Sequence, residues 1–214
     1  MWAIYQAQAV YMNWDELASA DALNAAIKAL SANGISVIVV ENGEEAKKKA
    51  LELIPKEAEV FTVTSTTLAS MGLDKELNES GSYASVRKRL NGMNRDTQSM
   101  EMAKLGSAPD WVVGSVHAVT EEGSAIIASQ TGSQLASYAY GARHIIWIVG
   151  AQKIVKDLDE GMRRIYEYTL PLESERAKKA YGAPGSAVNK LLIVNKEVVP
   201  NRITIILVKE RLGF

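Results

Sequence analysis

The chain contains no cysteine and only two histidines among its 214 residues. That absence excludes disulfides, thiolate zinc sites, cysteine nucleophiles and cysteine-ligated iron–sulfur clusters held by this chain, and two histidines are too few for a histidine-rich metal site. No metal or other cofactor is therefore expected. Charge of one sign is also lacking: 24 basic and 25 acidic residues leave a formal charge of −1. Without a basic face to release counterions, nucleic acid is not an expected partner. The longest apolar runs, Ile145 to Val149 and Ile203 to Val208, fall far short of the ~20 residues that span a bilayer, so no membrane partner is expected either. The opening residues lack a basic stretch followed by an apolar one, so they do not read as a signal peptide, and the cytoplasm is the expected location. Low-complexity tracts and internal repeats are missing as well.

What is present is an ordinary globular composition, 47% hydrophobic and 23% charged. That is enough to bury one core, and the length favours one domain with an appended arm. The expected division is a helical arm over residues 1–32 followed by an α/β domain over 33–214. In residues 1–14, Trp2, Tyr5, Ala9 and Met12 share one helical face and Ile4, Ala7, Tyr11 and Trp14 another. A helix that is apolar nearly all round needs cover, either from its own domain or from a second subunit, and a homodimer through this segment is the sharper expectation. Asn13 with Glu16 three residues later has the form of a capping box for the next helix, and Asn33-Gly34 ends that region.

Beyond Gly34 the pattern becomes regular. Ile35 to Val40, Ala58 to Val63, Asp110 to Gly114, Ser124 to Ala128 and His144 to Val149 are short apolar runs, expected as strands covered on both faces. Helical patterns fall between several of them: 43–53, a stretch through about Asn78, and Thr97 to Leu105. The glycine-, serine- and asparagine-rich stretch from Ser80 to Asn94 reads as a surface connection. Lys156 to Tyr168 and Leu172 to Ala180 are further helices. Strand and helix in alternation predict a mostly parallel sheet flanked by helices. Leu191 to Val194 and Ile203 to Val208 read as a closing antiparallel hairpin or an edge addition.

Ligands of open parallel sheets collect beyond the carboxyl ends of the strands, so the residues following each strand are the candidates. Thr64-Ser65-Thr66-Thr67 places four hydroxyls in a row, either a cradle for phosphate or carboxylate or an ordinary helix cap. His117 follows the third strand as a candidate acid or base, or as a hydrogen-bonded loop histidine. Glu121, in Glu121-Glu122-Gly123, has the form of a carboxylate that reaches a ligand closely, and equally that of an exposed turn. Thr131-Gly132-Ser133 forms a second hydroxyl turn. Gln152 and Lys153 follow the fifth strand, where the lysine can neutralise an anion. Arg143 and His144 precede that strand and are expected at the opposite edge. The partner read from these residues is a small anionic ligand.

From Gly34 to Phe214 the chain resembles the LUD (lactate utilisation) domain family. The residues that carry this are Thr64 to Thr67 leading to Met71-Gly72-Leu73, Ser115 to Gly123, Thr131 to Ser133, Val149 to Asp159, and the ending Ile203 to Phe214. The resemblance implies the fold shared by glucosamine-6-phosphate deaminase, ribose-5-phosphate isomerase and coenzyme A transferases. It also implies a part in oxidising lactate to pyruvate alongside iron–sulfur partner proteins. The chain departs from its relatives in having no cysteine cluster in the stretch 183–193, and in carrying His117, Ser133 and Gln152 where asparagine is common. Relatives of the fold that transfer coenzyme A use a glutamate shortly before a glycine as nucleophile, which Glu121 matches. The readings are thus an organic-acid-binding subunit or enzyme, an acyl transferase, and a structural subunit with a vestigial site.

Overall fold

The computed structural model describes residues 13–214. The expected docking segment, residues 1–14, lies almost wholly outside the described residues. Strands β1 (Ser36–Val40), β2 (Glu59–Thr62), β3 (Ala84–Ser85), β4 (Trp111–Gly114), β7 (His144–Gly150) and β10 (Ile203–Val208) form one sheet in the order β1-β10-β7-β4-β2-β3. Every pairing within it is parallel. A second sheet contains β5 (Ala118–Thr120), β6 (Ala125–Ser129), β8 (Ile154–Val155) and β9 (Lys190–Val194), in the order β8-β5-β6-β9.

The apolar runs are explained by cover on both faces. In β7, Ile145, Trp147 and Val149 enter one core cluster, while Ile146 and Ile148 enter another. The second cluster lies under α2 (Gly43–Leu53), α3 (Thr66–Ser70) and α4 (Leu73–Glu79), and includes Ala46, Ala50, Leu68, Leu73 and Leu77. The first is closed by α1 (Ala20–Ala32), through Ala26 and Leu30, and by Val119, Ala125 and Ile127 of the second sheet. Continuous hydrophobic runs follow, since a strand sandwiched between two layers has no solvent face.

Helix α1 begins later than the Asn13–Glu16 pattern implied. Asn13 bonds the Glu16 carboxylate through its own amide, but the helix is capped by Ser19, whose hydroxyl accepts from the Ala22 amide at 3.2 Å. Its far end is fixed by packing: a Cβ on Gly123 would lie 2.6 Å from the Ala29 carbonyl carbon.

Two expectations of topology are corrected. The closing strands are not a hairpin: β10 sits between β1 and β7 in the parallel sheet, whereas β9 pairs antiparallel with β6. Ile203 to Val208 has no alternation, as suits a central strand, and Leu191 and Ile193 of β9 are each 39% exposed, as suits an edge. The Ser124–Ala128 run does not join the parallel sheet either. With β5 it forms an antiparallel hairpin (Ala118 opposite Ile126), because the four-residue connection 121–124 is too short for the crossover a parallel pair requires.

The region 80–94 is not a bare connection but holds β3 and α5 (Val86–Asn91). Further on come α6 (Ser99–Ser107), α7 (Leu158–Arg164), a π-helical turn at Ile165–Thr169 and α8 (Leu170–Tyr181), which Gly182 ends at φ +64°. No helix among the described residues is long and apolar enough to cross a membrane.

Candidate functional site

A cavity of about 760 Å³ opens where β2 and β4 end and the second sheet begins. Thr64, Ser65, Thr66, Thr67, His117, Thr131, Ser133 and Lys153, all singled out in the sequence, line it. The two hydroxyl turns come from different sheets, so their meeting owes nothing to a shared parallel edge.

Each part of the first turn has a distinct task. Ser65 caps α3, its hydroxyl accepting from the Leu68 amide at 3.4 Å. Thr67 is buried; its hydroxyl donates to the Leu212 carbonyl at 3.3 Å and accepts from the Lys153 ammonium at 3.0 Å. That arrangement needs the chain ending to pass close by, at Gly213. The backbone there has φ +67°, and a Cβ would stand 2.3 Å from Thr67 Oγ1. The hydroxyls of Thr64 and Thr66 make no hydrogen bond among the described residues, and both residues line the cavity.

Lys153 is 2% exposed. Its ammonium donates to Thr67 Oγ1 and Ser115 Oγ, both at 3.0 Å, and to the Val116 carbonyl at 3.3 Å. All three acceptors are neutral, and no carboxylate among the described residues forms an ion pair with it. Burial, reinforced by the charge of Arg164, pushes its pKa down from 10.5 to about 7. Arg164 is a second fully buried cation, donating to the His117 carbonyl at 2.6 Å and to Thr169 Oγ1 at 3.2 Å. Its Nε and second terminal nitrogen have no partner among the described residues. Burial pushes its pKa down to about 10.

His117 lies near both cations. Its Nδ1 accepts a hydrogen bond from the Ala128 amide at 3.1 Å, so the neutral ring carries its proton on Nε2. Burial, and then the charges of Lys153 and Arg164, push its pKa down to about 3. The imidazole is therefore a neutral donor at physiological pH.

The second turn is built on Gly132, at φ +84°. Its amide donates to Ser129 Oγ at 2.8 Å, Thr131 Oγ1 donates to Ser133 Oγ at 3.2 Å, and Lys190 holds the Thr131 carbonyl at 2.6 Å. Gly132 shapes the turn but does not itself line the cavity.

Two predicted residues stand elsewhere. Gln152 is buried, with its side-chain amide donating to the Leu212 carbonyl at 2.9 Å, so it anchors the chain ending and does not face the cavity. Glu121 lies on the turn joining β5 to β6, where its amide donates to the Val155 carbonyl, and it does not line the cavity. His117 precedes β5 and Glu121 follows it, so the strand between them puts them about 13 Å apart along the chain, at ~3.3 Å per residue. The sequence showed no strand between the third run and Ser124, whereas β5 separates His117 from the Glu121 turn.

Sequence reasoning missed three arginines of the lining. Arg87 donates twice to the Thr62 carbonyl, at 3.1 and 2.7 Å, and lies over the Phe61 ring. Arg95 also lines the cavity, and Arg176 does so while bidentate to Glu173 at 2.6 and 2.7 Å. The cluster Arg87, Arg89, Arg95 within a polar stretch after a strand was the available signal for the first two. Arg143 and His144 are at the opposite edge as expected, with His144 stacked on Trp111 at 4.3 Å.

The family model described as LUD domain matches residues 23–208. Among solved structures, the chain is similar to a DUF162 family protein from Deinococcus radiodurans. The two share 14% identity and a TM-score of 0.54, over 90% of this chain and 99% of that one. No curated protein matches.

Proposed function

The chain belongs to the LUD domain family, which associates it with lactate utilisation, and on that premise we propose that its cavity binds an organic anion, a carboxylate or phosphate, in the service of lactate oxidation. The observation that carries this reading is Lys153, a buried ammonium satisfied only by neutral acceptors. Buried charges in proteins are ordinarily paired, because leaving one uncompensated costs several kcal/mol. Arg164 adds a second buried cation nearby, without a direct ion pair among the described residues. An anion seated against Thr64, Thr66 and the His117 Nε2–H supplies the missing charge, and the hydroxyls orient it.

His117 takes part as a hydrogen-bond donor and not as a base, since its only lone pair already accepts the Ala128 amide. This resembles the use of a neutral imidazole to polarise a carbonyl. Iron–sulfur partner proteins belong to the same proposal: a chain without cysteine holds no thiolate-ligated cluster, so electrons taken from lactate would leave through a partner. Acyl transfer through Glu121 is the weaker reading, because that carboxylate is not at the cavity.

Calorimetric titration with sulfate, which does not change charge between pH 6 and 9, tests the reading. Bound anion raises the Lys153 pKa, so binding above pH 7 takes up a proton. Affinity should be nearly flat below pH 7 and fall by up to about tenfold per pH unit above it. Lys153→Met should weaken binding and abolish the dependence. Wild-type affinity that is the same at pH 6 and pH 9 refutes the role given to Lys153.

A further inference from the structure

The cavity is large for the acid that gives the family its name. A three-carbon hydroxy acid has about the bulk of three or four waters, at ~30 Å³ each, and would fill about a seventh of the 760 Å³. Cavities of about 300–1,000 Å³ are those that bury ligands of drug or cofactor size.

Charge in the lining is one-sided. Its side chains include those of Arg87, Arg95, Lys153 and Arg176 but a single side-chain carboxylate, Glu173, which Arg176 occupies. Three cations are thus left without a carboxylate among the described residues, and they are spread over different elements. Lys153 lies deep, behind the hydroxyls of Thr67 and Ser115. Arg87 comes from α5 and Arg95 from the connection after it. One monoanion cannot satisfy three separated cations; a chain of charged groups can.

The wall also includes an aromatic surface. Tyr181, at the end of α8, lines the cavity, is 67% exposed and has the Arg176 guanidinium 5.3 Å from its ring centre. Its free face can stack a planar ring, with the arginine adding a cation to the stack.

Resting on the reading of the cavity as an anion site, we propose that its ligand is a nucleoside diphosphate or a conjugate of one, with the phosphates along Arg87, Arg95 and Lys153 and the base against Tyr181. The hydroxyl turn Thr131–Ser133 then offers hydrogen bonds to the sugar.

Calorimetry or thermal shift on the whole chain with ADP, inorganic phosphate and L-lactate separates the two claims. The expected result is ADP binding at least tenfold more tightly than phosphate, with Arg95→Ala and Tyr181→Ala each weakening ADP about tenfold. Phosphate binding should change much less in Tyr181→Ala. Both substituted residues are exposed at the cavity wall, so folding is preserved, and an unchanged melting temperature of the free variants checks this. Phosphate or lactate binding as tight as ADP overturns the nucleotide assignment while leaving the anion site standing. Failure of all three to bind overturns both.

Discussion

The buried ammonium of Lys153 makes a prediction about stability that needs no ligand. Its pKa is about 7 in the folded chain against 10.5 for the free side chain, a displacement worth on the order of 5 kcal/mol at ~1.4 kcal/mol per pH unit. Below pH 7 the group is protonated in both folded and unfolded chains, and the cost of burying the charge is borne in full. Between pH 7 and about 10 the unfolded chain binds the proton and the folded chain does not, so stability rises with pH. From pH 7 to pH 9 this one group should add about 2 kcal/mol, since it is half protonated at the lower limit. His117 does not interfere, because it is neutral throughout that window, and the raised tyrosines Tyr138 and Tyr168 titrate above it. Other groups contribute to the raw curve, so the informative quantity is the difference between wild type and Lys153→Met.

The variant loses three hydrogen bonds, worth roughly 1 kcal/mol each, and gains by removing the charge. Its stability at pH 7 therefore falls near that of wild type. Urea unfolding at pH 7, 8 and 9, in a buffer free of multivalent anions, should show the wild type gaining on the variant by about 1 kcal/mol per pH unit. Parallel curves would show that the ammonium is not held in a desolvated state, and would remove the electrostatic case for an anion.

Glu121→Gln should leave sulfate affinity unchanged and stability within about 0.5 kcal/mol, because the side chain makes no hydrogen bond among the described residues and lies off the cavity; loss of any anion- or acyl-dependent activity in this variant would restore the carboxylate as a catalytic group. Gly213→Ala should cost about 2 kcal/mol or more in unfolding experiments, since a positive φ and a Cβ 2.3 Å from Thr67 Oγ1 coincide there. It should weaken sulfate binding as well by displacing Thr67 from Lys153, and an unchanged melting temperature would show that the chain ending does not hold the hydroxyl turn in place.

Much of this protein was determined locally and can be read from the residues alone. Lack of cysteine excluded thiolate chemistry, and no tertiary arrangement can reverse that. Apolar runs such as Ile145 to Val149 marked strands buried on both faces, because a layer on each side removes any reason for alternation. That Thr64 to Thr67, Thr131, Ser133 and Lys153 share one cavity wall was foreshadowed in the sequence, because each follows the end of an apolar run. Other features depended on which segments meet. Whether Ile203 to Val208 is a central strand or half of a hairpin turns on partners that are remote in sequence, β1 and β7, and short-range pattern carries no record of them. Glu121 and Gln152 had the right chemistry at the right distance from a strand, but a three-residue strand moved one to the far end of a hairpin and packing turned the other toward Leu212. The state of Lys153 was likewise set by the fold: any lysine has the same intrinsic pKa, and only enclosure by Thr67, Ser115 and Val116, with Arg164 nearby and no ion-paired carboxylate among the described residues, lowers this one to about 7.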